Sequence, residues 1–195
     1  MIHIYHPNKA VKGFACSFWY SNRNDSLFAT LVKQAGWDEK TQNGTFKGSL
    51  NDPTKKVNIK LSEVEACAIL DCIERNRPFS TFHQSDESPK SISFTPWMNT
   101  PIADDEGNRP PVTQKGFSFS IVVGNKQDTN KNSFYIGLIF AEARYIREFL
   151  IHYLQQSFKT TSVPREEVPD TTLPTKEYPA VNNAESPASN SLVDF

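Results

Sequence analysis

The sequence has little of what marks several common classes of protein. Its three cysteines form no Cys-x-x-Cys pair and no Cys/His cluster at zinc spacing: Cys16, Cys67 and Cys72. We therefore expect buried, reduced thiols in a cytoplasmic protein, without a disulfide framework or a metal site. The chain has no run of 18 apolar residues and no basic-then-apolar leader, so we expect no membrane span and no signal peptide.

Signatures of catalysis are also scarce. The chain has no glycine-rich phosphate loop and no Gly-x-Ser-x-Gly, and its four histidines are scattered: His3, His6, His83 and His152. The acidic cluster Asp104, Asp105 and Glu106 suggests a divalent metal, but the neighbouring prolines favour a solvated loop. We expect no enzymatic activity and no cofactor. A metal-dependent nuclease that uses Asp104 or Asp105 is a distant alternative.

Charge is small in total and uneven along the chain. The formal net charge is −1, yet residues 1–60 hold nine Lys and Arg against four Asp and Glu, and residues 161–195 hold two against six. From Thr160 onward, five prolines separate residues rich in Thr, Ser, Asn and Glu, which cannot bury enough apolar surface to become ordered. We predict a domain over 1–159 and a disordered acidic tail over 160–195, an asymmetry that hints at nucleic-acid contact.

Hydrophobic periodicity predicts an α+β fold. Four expected strands, "GFACSFWYS", "SLFATLVKQA", "GTFKGS" and "KVNIKL", precede a helix that begins with a Ser62/Glu65 capping box and ends before Pro78. Four more, "FSTFHQ", "SISFTPW", "GFSFSIVV" and "SFYIGLIF", precede a helix over 141–158. The chain thus repeats four strands and a helix, with halves near 13–76 and 79–158 and a long loop over 98–115.

Basic and aromatic residues alternate along the predicted strands. A single-stranded nucleic acid requires this combination, because lysines neutralise phosphates and aromatic faces stack the bases. Period-two alternation places Phe14, Cys16 and Phe18 on the core face of their strand and Trp19 on the other, and Tyr20 joins the Phe face unless a bulge intervenes. Core packing is the alternative for each aromatic residue. The candidate contacts are Lys12, Trp19, Tyr20, Arg23, Lys33, Phe46, Lys47, Lys60 and Trp97.

Two resemblances add to this pattern. The repeated four-strand-plus-helix unit, with the lysine-glycine stretch "TFKGS" at 45–49, resembles the Whirly family, which belongs with the positive-cofactor-four type of single-stranded DNA binders. The acidic arm ending in "LVDF" is similar to the acidic tip of bacterial and phage single-stranded DNA-binding proteins, which docks into basic pockets of replication and repair enzymes. Asp194 and Phe195 match that tip.

The resemblances imply a largely sequence-independent single-stranded DNA-binding protein. It would protect single strands and recruit replication, recombination or repair proteins through Asp194 and Phe195. They also imply a homo-oligomer, associated with the nucleoid of a bacterial or phage-infected cell and with no membrane partner. Two alternatives stay open. One is an RNA-binding or annealing factor on the same fold, and the other is a structural protein whose aromatic sheet face is a subunit interface.

Overall fold

The described part of the chain forms two four-stranded antiparallel sheets, one two-stranded hairpin and two helices. The computed structural model describes residues 1–21, 26–84, 88–103, 105–124 and 131–161. The strands are β1 (Ile2–His6), β2 (Phe14–Ser21), β3 (Ser26–Lys33), β4 (Gly36–Asp38), β5 (Asn43–Thr45), β6 (Lys56–Leu61), β7 (Phe79–His83), β8 (Lys90–Met98), β9 (Gln114–Val123) and β10 (Asn132–Ile139). The helices are α1 (Glu63–Arg75) and α2 (Phe140–Thr161), and neither combines the length and apolarity that crossing a membrane takes.

The first sheet has the strand order β1-β2-β3-β6. The sequence prediction missed β1, whose Ile2 and Ile4 are buried while His3 and Tyr5 are exposed, the alternation of a strand with one face on the core. The predicted strand "GTFKGS" is wrong in extent, because only Asn43–Thr45 is extended. That segment pairs with β4 in a separate hairpin, and a 3-10 turn follows at Lys47–Ser49.

The second sheet has the order β10-β9-β8-β7, so its strands follow one another in the chain and lead into α2. Its buried residues pack against those of the first sheet in one core, where the rings of Phe18 and Phe119 lie 5.6 Å apart. Helix α1 follows the last strand of the first sheet, and helix α2 follows the last strand of the second. The α+β prediction of four antiparallel strands and a helix, given twice, is confirmed.

Helix α1 begins at the predicted capping box. The Ser62 side chain accepts a hydrogen bond from the Glu65 backbone amide, and the Glu65 carboxylate accepts one from the Ser62 backbone amide. His83 Nε2 lies 2.6 Å from Glu65 Oε1, which ties β7 to the helix. Burial alone would raise the pKa of the Glu65 carboxyl, but the bonds from Ser62 and His83 outweigh it and hold the pKa below its ordinary value.

Gln34 fastens the β4–β5 hairpin to the first sheet. Its buried amide oxygen accepts hydrogen bonds from the backbone amides of Asn8 and Gly13, and its amide nitrogen donates to the carbonyls of Asn8 and Gly36. At Gly13 the chain passes close to the backbone of His6 and to the Gln34 side chain. A Cβ on Gly13 would lie 2.2 Å from the His6 carbonyl oxygen. Glycine at position 13 is therefore required for the β1–β2 connection to pack against Gln34.

We predict that Gly13→Ala destabilises the domain by about 2 kcal/mol, because the added methyl group forces the β1–β2 connection off Gln34. Gly36→Ala is the matched control, since a Cβ there meets only Thr45 Cγ2 at 3.4 Å. Urea unfolding of both variants measures the difference. Equal stability of the two would show that the close approach at Gly13 does not constrain the chain.

We predict that Glu65→Ala costs about 1 kcal/mol of stability at pH 7, because it removes half of the capping box. Since the folded-state pKa of Glu65 is depressed, its contribution is present above the unfolded pKa of about 4.3 and is lost as pH falls through the folded value. Unfolding curves of the variant and the unsubstituted protein should therefore converge in acid. A stability difference that stays constant down to pH 2 would contradict this.

Candidate functional site

The side chains that the first sheet directs away from the core form three rows across the strands. In the first, Trp19 on β2 lies beside Phe28 on β3 and Lys60 on β6. The middle row is polar: His3, Ser17, Thr30 and Asn58. The third row is Tyr5, Ala15, Val32 and Lys56. Polar side chains thus lie between two rows that each contain an aromatic ring and a lysine.

The segment after β5 turns this face into a groove. Phe46 packs on Ala15 and Val32 and is only 9% exposed, and its ring centroid is 5.7 Å from that of Tyr5. Residues 43–47 and Leu50 line one side of a cavity of about 750 Å³ whose floor is the sheet. We call this cavity, with the three rows beneath it, the outer groove.

Its two main aromatic side chains are held differently. The Trp19 ring stacks on Phe28 with centroids 4.4 Å apart and planes 15° from parallel. Trp19 Nε1 donates to Thr30 Oγ1 at 3.3 Å, and that hydroxyl donates to Asn58 Oδ1 at 2.9 Å. Tyr5 is 56% exposed, with its ring 6.0 Å from that of His3. One ring is therefore fixed in place and the other stays open to a flat ligand.

The outer groove favours anions. Lys47 and Lys56 line it, and none of the described residues that line it is acidic. Lys60 extends the same face in the Trp19 row. Elsewhere in the described ranges, no three His, Cys, Asp or Glu side chains gather as a metal site would require. Asp105 and Glu106 are exposed in the connection after β8, and Asp104 lies outside the described residues.

The structure brings part of the predicted set together. Trp19, Phe46 and Lys47 line the outer groove, and Lys60 shares its face. Lys12 is exposed in the β1–β2 connection and does not line the cavity. Three further predicted residues, Arg23, Asp194 and Phe195, lie outside the described part of the chain.

Two predicted contacts lie on the opposite side of the first sheet. The ring of Tyr20 is 5.4 Å from that of Tyr153 on α2, and Lys33 Nζ bonds Asn132 Oδ1 at 2.6 Å and lies 4.7 Å above the Phe134 ring. The β2–β3 register runs without a bulge, so alternation turns both side chains away from Trp19. Neither residue belongs to the outer groove.

Trp97 lies on the second sheet, across Gly137, with Lys115 Nζ 5.9 Å from its ring. The solvent side of that sheet is rich in serine, and Ser93 and Ser120 share a hydrogen bond of 2.8 Å. A smaller cavity there, of about 470 Å³, has no lysine or arginine among the described residues that line it. Trp19 and Trp97 therefore belong to separate surfaces, and of these two cavities only the one beside Trp19 is lined by lysines.

Sequence reasoning missed most of the outer groove. It did not select His3, Tyr5, Phe28, Thr30, Lys56 or Asn58. The alternation in "IHIYH" could have revealed β1 and so placed His3 and Tyr5 on a polar face. The contribution of Asn58 depends on which strands are neighbours, and periodicity within one strand does not show that.

No family model and no curated protein sequence matches the chain. Solved structures share its fold. The plant transcriptional regulator PBF-2 aligns with a TM-score of 0.51 at 14% identity, over 82% of this chain and 84% of that one. WHY1 from Arabidopsis thaliana gives 0.50 at 16%, over 83% and 94%. A guide-RNA-binding protein complex bound to a guide RNA gives 0.50 at 15%, over 84% and 93%. The domain has a Whirly-like fold.

Proposed function

We propose that this protein binds single-stranded nucleic acid in the outer groove. The observation that carries the proposal is one cavity that combines aromatic rings with lysines and has no acidic side chain among the described residues that line it. Splayed bases stack on aromatic faces with little regard to sequence, and the phosphates between them are drawn to lysines. A duplex hides its base faces, so the site suits a single strand.

The spacing of the three rows fits the alternation of bases and phosphates along a single nucleic-acid strand. Successive residues of one strand face are about 7 Å apart, so the Trp19 and Tyr5 rows lie about 13 Å from each other along β2. Bases held against these two rings would leave their edges over the polar row. Lys56 and Lys60 lie on β6, two residues to either side of Asn58, where they would meet the flanking phosphates.

The structures of similar fold support nucleic acid as the ligand class. One is described as a transcriptional regulator and another as a complex with guide RNA. We propose single-stranded DNA as the ligand, and the guide-RNA complex keeps RNA as a second candidate. Competition between dT and rU oligomers of equal length separates the two, because only RNA offers a 2′-hydroxyl group.

The proposal for the role of this protein in the cell comes from its sequence. We propose a homo-oligomer without catalytic activity that protects single strands in a bacterial or phage-infected cell. Its recruitment of replication, recombination or repair proteins through Asp194 and Phe195 is proposed from the resemblance to acidic tips alone. A structural oligomerisation protein is the rival from another class. Mass measurement that shows an oligomer, together with no binding to any oligonucleotide, would favour that rival.

We predict that Tyr5→Ala and Trp19→Ala each weaken binding to a labelled dT oligomer by about 1–3 kcal/mol, the usual contribution of one stacked base. Fluorescence anisotropy at low salt measures the affinity. Trp97→Ala is the matched control on the second sheet and should bind normally. Thermal unfolding of each variant checks the fold, since Trp19 also packs on Phe28. A loss with Trp97→Ala as large as that with Trp19→Ala would contradict the assignment.

We predict that affinity falls as salt rises and that Lys56→Gln makes this dependence shallower. Each phosphate neutralised on a single strand contributes about −0.7 to the slope of log K against log salt, so the slope should change by about that amount. Lys115→Gln, on the second sheet, should leave the slope unchanged. A slope near zero for the unsubstituted protein would show that phosphates are not bound.

A further inference from the structure

We infer that the outer groove also reads one base edge, through Asn58, and favours thymine over adenine at that point. The inference rests on the proposed function and goes beyond it, because stacking and phosphate contacts by themselves tolerate any sequence. It concerns a hydrogen-bonding group that lies between the two aromatic rows.

A directed chain of hydrogen bonds fixes the Asn58 amide. An indole Nε1 only donates, so in the 3.3 Å bond between Trp19 and Thr30 the hydroxyl oxygen is the acceptor. The single proton of that hydroxyl is then given to Asn58 Oδ1, 2.9 Å away. The carbonyl end of the amide is thereby held towards the sheet floor, and the Nδ2 end faces the other way.

The amide nitrogen is available to a ligand. Asn58 is exposed and lines the outer groove, and no described residue accepts a hydrogen bond from its Nδ2. It stands in the polar row, with Lys56 and Lys60 on either side along β6. A nucleic-acid strand whose phosphates contact these lysines would bring a base edge to the two N–H donors of the Asn58 amide between them.

This orientation of the Asn58 amide changes which base the side chain recognises. A free Asn side chain pairs with adenine by donating to N7 and accepting from the N6 amino group. Here Oδ1 is turned towards Thr30, so an adenine that accepts from Nδ2 at N7 brings its N6 amino group beside a second donor instead of an acceptor. The O4 carbonyl of thymine also accepts from Nδ2, but the group beside it is a methyl group and not a donor. Adenine is therefore disfavoured and thymine favoured.

The test compares two ratios. The dissociation constants of dT and dA 15-mers are measured for the unsubstituted protein and for Asn58→Leu, a substitution of similar size at an exposed position. Self-stacking of dA weakens its binding to both proteins equally, so the change in the dA/dT ratio isolates Asn58. We expect the ratio to fall about threefold to tenfold in the variant, the range of one hydrogen bond. Ser17→Ala, in the same row, should keep the ratio.

Thr30→Val gives an independent check. It releases Asn58 Oδ1, so the amide can turn and pair with adenine, and the dA/dT ratio should also fall. An unchanged ratio in Asn58→Leu, with dT binding intact, would overturn the inference and leave the proposed function standing. A ratio that falls as far with Ser17→Ala would overturn the assignment to Asn58. Failure of the unsubstituted protein to bind either oligomer would overturn the proposed function and this inference with it.

Discussion

The uninterrupted antiparallel register of the first sheet is the constraint on which the candidate site depends. It pairs Trp19 with Phe28 and Thr30 with Asn58, and it turns Phe18 and Leu31 into the core. A slip of one residue in β2 would bury Trp19 and expose Phe18, so core packing and site geometry are specified together. The hydrophobic core therefore holds the rows of the outer groove in register, although its residues do not line the groove.

The two halves of the chain use the same topology for different surfaces. Each has four antiparallel strands followed by a helix, and their apolar faces share one core. The solvent side of the first sheet carries aromatic rings and lysines, and the hairpin fastened by Gln34 gives it depth. The solvent side of the second sheet is lined by serines and has no such hairpin among its described elements. The proposed binding function is thus placed on the first half because of its surface side chains, since the fold is common to both halves.

Local pattern was enough to predict the fold class, both helices and the division of Phe18 from Trp19, because each follows from alternation or a capping box within one segment. The strand β1 was missed although the alternation in "IHIYH" marks it, and the outward positions of His3 and Tyr5 were missed with it. The predicted contacts also include Tyr20, Lys33 and Trp97. Alternation within one strand does not exclude a bulge before Tyr20 and does not show which sheet holds Trp97, whereas register and sheet membership separate all three from Trp19. The relay from Trp19 to Asn58 crosses three strands, so no pattern within a single strand reveals it.

The proposed function requires single-stranded nucleic acid to lie in the outer groove. Photocross-linking with a 5-bromodeoxyuridine oligomer, followed by mass spectrometry of the linked peptides, locates the bound strand because bound bases react with the aromatic rings they touch. We expect cross-links at Tyr5 or Trp19, both of which line the groove. Cross-links confined to Phe82 or Trp97, which are exposed on the second sheet, would contradict it.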